Sequence, residues 1–90
     1  MKFTVGWTPS AEYDLTRCWL ESRDRQAIDD AVQRIEQELS SRPLDAGESR
    51  TGAMRILIVE PIAVYFSVRA DDRLVKVVQV TRRSTRGRQR

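Results

Sequence analysis

The chain has 90 residues, 40% of them hydrophobic and 32% charged. It holds sixteen basic and thirteen acidic residues (net +3), one cysteine and no histidine. That length makes one small domain, and the composition suits a compact soluble protein rather than a disordered one. A lone cysteine excludes an intrachain disulfide, and without histidine a metal centre has almost nothing to build from, so neither metal nor cofactor is expected.

"KFTVGW" alternates Phe3, Val5 and Trp7 against Lys2, Thr4 and Gly6, the period of a half-buried strand. No apolar run approaches the roughly 18–20 residues of a membrane span, and this opening segment is no signal peptide. A cytoplasmic location without membrane attachment is therefore expected. "TPS" reads as a helix start, with Thr8 as cap and Pro9 in the first helical position. Ala11, Leu15, Cys18 and Trp19 follow on one apolar face, while Glu12 and Asp14 lie near the positive end of the helix dipole. Asp24 is placed to cap a second helix, whose stripe is Ile28, Ala31, Val32, Ile35 and Leu39. The short connection predicts an antiparallel helical hairpin. Residues 40–52, with Pro43, Gly47 and Gly52, read as an irregular connection.

After Gly52 the period changes. "MRILIVE", "IAVYFSVR" and "RLVKVVQVT" are rich in β-branched and aromatic residues, separated by Glu60-Pro61 and by an Asp71-Asp72 turn. The expected fold is α+β, in the order β-α-α-β-β-β, an antiparallel sheet with the N-terminal helical hairpin packed on one face. Residues 1–83 form its single domain, and residues 84–90 a basic tail expected to fray.

The charge is unevenly placed. Arg82, Arg83, Arg86, Arg88 and Arg90 stand in the last nine positions without an acid, leaving the rest of the chain at net −2. Fourteen of the sixteen bases are arginine. Arginine makes bidentate contacts to phosphate and carboxylate, which suits an RNA, DNA or acidic-partner surface; arginine-favouring codon usage gives the same skew.

In combination these segments resemble the RelE/ParE superfamily, toxins of bacterial type II toxin–antitoxin pairs that are often labelled plasmid stabilisation proteins. "WTPSAEYDLTRCWL" looks like the family's opening, and "AIDDAVQRIEQELSSRP" like its second helix. "GAMRILIVEPIAVYFSV" looks like its central hairpin, and "RLVKVVQVTRR" like its last strand with a basic end; together the four span residues 3–83. The resemblance implies a cognate antitoxin as partner and one of two targets. RelE-like toxins cleave messenger RNA in the ribosomal A site, whereas ParE-like toxins bind DNA gyrase and block it. Homodimerisation is left open.

A metal-free ribonuclease must activate a 2′-hydroxyl, stabilise the transition-state charge and protonate the leaving oxygen. The resemblance carries Arg55 onto one basic strand position, allowing a small gap, and Arg83 onto the arginine past the last strand. Together they would contact a phosphate or the transition state. Arg50, Arg82, Arg86 and Arg88 are the candidates for nucleic-acid or partner binding. The other family positions do not carry over. The middle-strand arginine falls at Ile62 or Ala63, a second basic residue at Ile56 or Leu57, and the C-terminal tyrosine near Gln89. Arginine stays protonated near neutral pH and is a poor replacement for a base. This incompleteness favours ParE-like inhibition of a macromolecular target or a diverged mode. RelE-like cleavage with Arg55 and Arg83, and a nontoxic RNA-binding module or remnant of the fold, are the alternatives.

Each candidate also has a plain structural reading. Arg55 reads as a solvent-facing strand arginine, Arg82 and Arg83 as a solubilising strand end, and Glu60 as a turn residue rather than a general base. Tyr65, Trp7 and Trp19 read as packing, and Cys18 as a small buried hydrophobe. Ser67 and Thr81 lack a histidine to activate them. An apolar groove should be open if an antitoxin covers one, with Leu20, Leu44, Ile62 and Val64 as possible lining.

Overall fold

A computed structural model describes residues 2–49 and 54–83. The chain runs β1 (Thr4–Trp7), α1 (Pro9–Glu21), α2 (Arg25–Ser41), β2 (Glu48–Ser49), β3 (Met54–Val59), β4 (Ile62–Arg69) and β5 (Leu74–Arg82). The five strands form one sheet in the order β1-β5-β4-β3-β2. The α+β class holds, but the sheet is mixed rather than antiparallel, because β1 pairs parallel with β5 while the other ladders are antiparallel. Periodicity identifies a strand without giving its direction. A parallel pair needs a long crossover, and here everything between Trp7 and Leu74 supplies one. The irregular connection also contributes the short strand β2, which two exposed residues do not announce.

Local sequence sets the helix ends as expected. The Thr8 hydroxyl accepts from the Ala11 amide at 3.1 Å, with Pro9 in the first turn, and the Asp24 carboxylate accepts from the Ala27 amide at 3.0 Å. Arg25 holds the helix–helix connection. Its guanidinium donates to the Trp19 and Leu20 carbonyls at 3.0 and 3.1 Å and lies 4.5 Å from the centre of the Trp19 ring. The bond to Leu20 serves a carbonyl at the open end of α1, while the Trp19 carbonyl also accepts from the Ser22 amide at 3.3 Å.

The buried side chains of both helices (Ala11, Cys18, Ile28, Ala31, Ile35 and Leu39) join those of one sheet face (Ile62, Val64, Phe66, Val75, Val77 and Val80) in a single core. Trp7 sits at its margin and donates its indole N–H to Glu36 at 2.9 Å, tying β1 to α2. The register puts Tyr65, Ser67, Lys76, Gln79 and Thr81 on the opposite face.

Two backbone constraints complete the sheet. First, β1 pairs with β5 only over residues 74–77, so the outer edge of β5 beyond Val77 meets α1 instead of a strand. There the Val77 carbonyl accepts from the Thr8 amide at 3.0 Å, and the Val80 amide donates to the Asp14 carboxylate at 3.2 Å. Second, Gly47 adopts φ 67° beside β3, where a Cβ would collide with the Ile56 carbonyl. Gly47→Ala therefore meets both positive-φ strain and a backbone clash, and should lower the unfolding free energy by about 1–3 kcal/mol in urea titrations. Gly6→Ala, whose added methyl would come no nearer than 3.9 Å to Val75, should not. Asp14→Ala leaves the Val80 amide without its acceptor and should cost about 1–2 kcal/mol by the same measurement. Asp14→Asn, which keeps an acceptor oxygen, should cost less.

Candidate functional site

The arginines of interest lie on β3 and at the end of β5, and strand alternation determines where each one goes. Arg55 pairs with Phe66, a core residue, so it shares the helix-covered face instead of facing solvent. It is half-buried, and its guanidinium donates through Nε and Nη2 to the Ala46 carbonyl at 3.3 and 3.2 Å and through Nη1 to Ser49 at 3.2 Å. Those bonds fasten the segment after α2, including the buried Pro43 and Ala46, onto the sheet.

Arg82 pairs with Ile62 and is therefore also on the helix side, close enough to Cys18 to act on its ionisation. Burial pushes the Cys18 thiol up. Arg82 opposes that shift, Asp14 and Glu21 add to it, and Arg17 opposes it weakly. A buried thiol held protonated is no nucleophile.

Arg83 turns elsewhere. Its amide donates to the Pro61 carbonyl at 2.7 Å, and its Nε donates to the Glu60 carboxylate at 3.2 Å. Both side chains of this ion pair are about half exposed, at 47% and 48%. Glu60 therefore belongs to a turn, and it also holds the arginine that the family resemblance singled out.

The structure does not bring Arg55 and Arg83 together. Arg55 stands opposite Phe66 and Arg82 opposite Ile62, about 13 Å apart along β4 before the further step to Arg83. Arg50, Arg86 and Arg88 lie outside the described residues. Among the described residues no group of His, Cys, Asp and Glu is arranged to hold a metal ion, and no helix is long and apolar enough to cross a membrane. The register puts two cations of β3, β4 and β5 on the open sheet face, Arg69 at the end of β4 and Lys76, which lies beside Ser67 and near Tyr65. The sequence reading passed over Lys76. Strand alternation would have placed it with Ser67, but a bulge at Val78 obscures the rest of that face.

Among the described residues, an apolar opening lies between the helices. Leu15, Trp19, Ile28 and Val32 line a cleft of about 580 Å³, rimmed by Thr16, Gln26, Asp29 and Gln33. Of the four residues considered for a groove, Ile62 and Val64 are fully buried, while Leu20 and Leu44 are exposed at 57% and 55% but do not line this cleft.

No protein-family model and no curated sequence matches the chain. Solved structures do. A chain of the RelBE2 toxin–antitoxin complex of Mycobacterium tuberculosis superposes with a TM-score of 0.76 at 20% identity, covering 92% of this chain and 93% of that one. A chain of the chromosomal ParDE system of P. aeruginosa gives 0.72 at 19% identity, covering 92% and 98%. The isolated E. coli RelE toxin gives 0.65 at 14% identity, covering 91% and 85%. The chain has the RelE/ParE fold.

If Arg55 acts as a structural clamp, Arg55→Ala should lower stability by about 1–2 kcal/mol in denaturant titrations. Arg55→Lys, which cannot reproduce the forked contact with Ala46 and Ser49, should recover only part of it.

Proposed function

We propose that this chain is the toxin of a type II toxin–antitoxin pair, acting on a macromolecular target by binding and neutralised by a cognate antitoxin. Carrying this reading is the fold match over nearly the full length of chains from the RelBE2 and ParDE systems. The cleft between α1 and α2 supports a partner, since its apolar lining and polar rim suit the apolar face of an amphipathic helix.

Target inhibition of the ParE-like kind, or a diverged binding mode, is favoured over RelE-like cleavage. Arg55 is engaged in holding backbone, Arg83 lies at the other end of the ladder, and the carboxylate beside it, Glu60, is tied up in an ion pair with it. A second reading, contact with RNA, is favoured by the arginine-rich C-terminal end, an electrostatic footprint that gives affinity without sequence readout. Gyrase, the ribosome with its mRNA, and a homodimer remain the partners to be distinguished by experiment.

Induced alone, the protein should arrest growth while A-site messenger RNA stays intact. The purified protein should slow gyrase supercoiling. Leu15→Gln in the cleft should leave arrest in place but weaken rescue by the antitoxin at least tenfold, corresponding to about 1.4 kcal/mol. Specific A-site cleavage would move the protein to the nuclease reading, and growth without arrest would set the toxin reading aside.

A further inference from the structure

From Arg73 to its last residue the chain contains no acidic residue. The turn between β3 and β4 nevertheless carries a carboxylate to the end of this basic stretch, where Glu60 accepts from Arg83 Nε at 3.2 Å. The arginine backbone is held in the same place by its 2.7 Å bond to the Pro61 carbonyl, so residue 83 is fixed against the turn while its side chain extends over it. Arg82 cannot substitute, because strand alternation sends it to the helix-covered face opposite Ile62.

A guanidinium has five N–H donors, and among the described residues the side-chain bond of Arg83 uses only Nε. The pair is half exposed on both sides. Such a pair is weak and readily exchanged, whereas a phosphodiester offers two oxygens to the fork of the same guanidinium.

We propose that Glu60 is an internal competitor for the phosphodiester backbone of nucleic acid at Arg83. The carboxylate occupies the Nε edge of the guanidinium in the free protein, competes with a phosphate for that edge, and its charge repels a bound backbone. This threshold filters weak, nonspecific contacts at the basic end of the chain. It rests on the reading of Arg83 as a nucleic-acid contact, and it does not depend on whether the protein is toxic.

The test is a double-mutant cycle on the full chain, read by fluorescence anisotropy with a short labelled single-stranded RNA and the matching DNA. Glu60→Gln is expected to tighten RNA binding roughly two- to fivefold, the range set by the worth of an exposed ion pair. Asp71→Asn adds the same unit of charge in the opposite turn, more than about 20 Å away along β4. Salt screening should hold its effect within about 1.5-fold. Arg83→Gln should weaken binding, and adding Glu60→Gln to it should restore nothing, because the competitor has no remaining arginine to release. Unchanged thermal midpoints keep these comparisons about binding.

Equal affinity or weaker binding by Glu60→Gln overturns the competitor role; weaker binding would mean that the carboxylate orients the arginine. Wild-type affinity in Arg83→Gln instead removes Arg83 as a nucleic-acid contact. Capture of an acidic polypeptide, with neither RNA nor DNA bound, overturns the phosphodiester assignment. A gain shared by RNA and DNA supports backbone recognition, and a gain with RNA alone supports RNA as the source of the phosphate.

Discussion

The fold depends on the last strand entering the sheet between the first strand and the central hairpin. β5 pairs parallel with β1 on one side and antiparallel with β4 on the other, so it holds the N-terminal strand and the hairpin in one sheet. Because β1 is short, half of the outer edge of β5 would stand open. The start of α1 covers it, through the Thr8 amide and the Asp14 carboxylate. An open strand edge invites nonspecific pairing with other chains, and covering it with a helix is one of the few available remedies. The same contacts seat α1 against β5, and α1 in turn supplies Leu15 and Trp19 to the interhelical cleft.

One extra residue in β5 decides which face its last residues reach. Up to Val77 the strand alternates with β4 in register. A shift between Tyr65 and Phe66 then leaves Val78 unmatched, and pairing resumes with Gln79 opposite Tyr65. A one-residue offset exchanges the two faces of everything downstream. Val80 thereby enters the core, and Arg82 points toward α1 and Cys18, whereas Thr81 stays on the open face. Two adjacent arginines consequently have different fates, one exposed on the helix side of the sheet and one at the turn with Glu60.

Much of this was legible in the sequence. Thr8, Pro9 and Asp24 mark helix starts by capping chemistry alone, and the apolar stripes of α1 and α2 face the core as their spacing requires. Strand direction was not legible, because alternation is identical in parallel and antiparallel strands. Asp14 read as a dipole partner because a contact sixty-six residues away leaves no local trace. Arg55 read as solvent-facing because its carbonyl acceptor lies in a segment without periodicity. The bulge escaped because "KVVQV" alternates equally well in two phases, and the Glu60–Arg83 pair escaped because it exists only once two turns and a strand end meet.

The result is a small scaffold with two distinct surface features, an apolar cleft between the helices and a strand-end arginine paired with a single carboxylate. On the proposed reading as a toxin, one surface would serve the protein that restrains it and the other what it acts on. Hydrogen exchange of the chain, free and with the product of the neighbouring open reading frame, tests this most directly. Slowed exchange across α1 and α2 around Leu15, Trp19 and Val32 is the predicted result. A neighbouring product that does not bind, or one that leaves both helices exchanging as in the free protein, would contradict it.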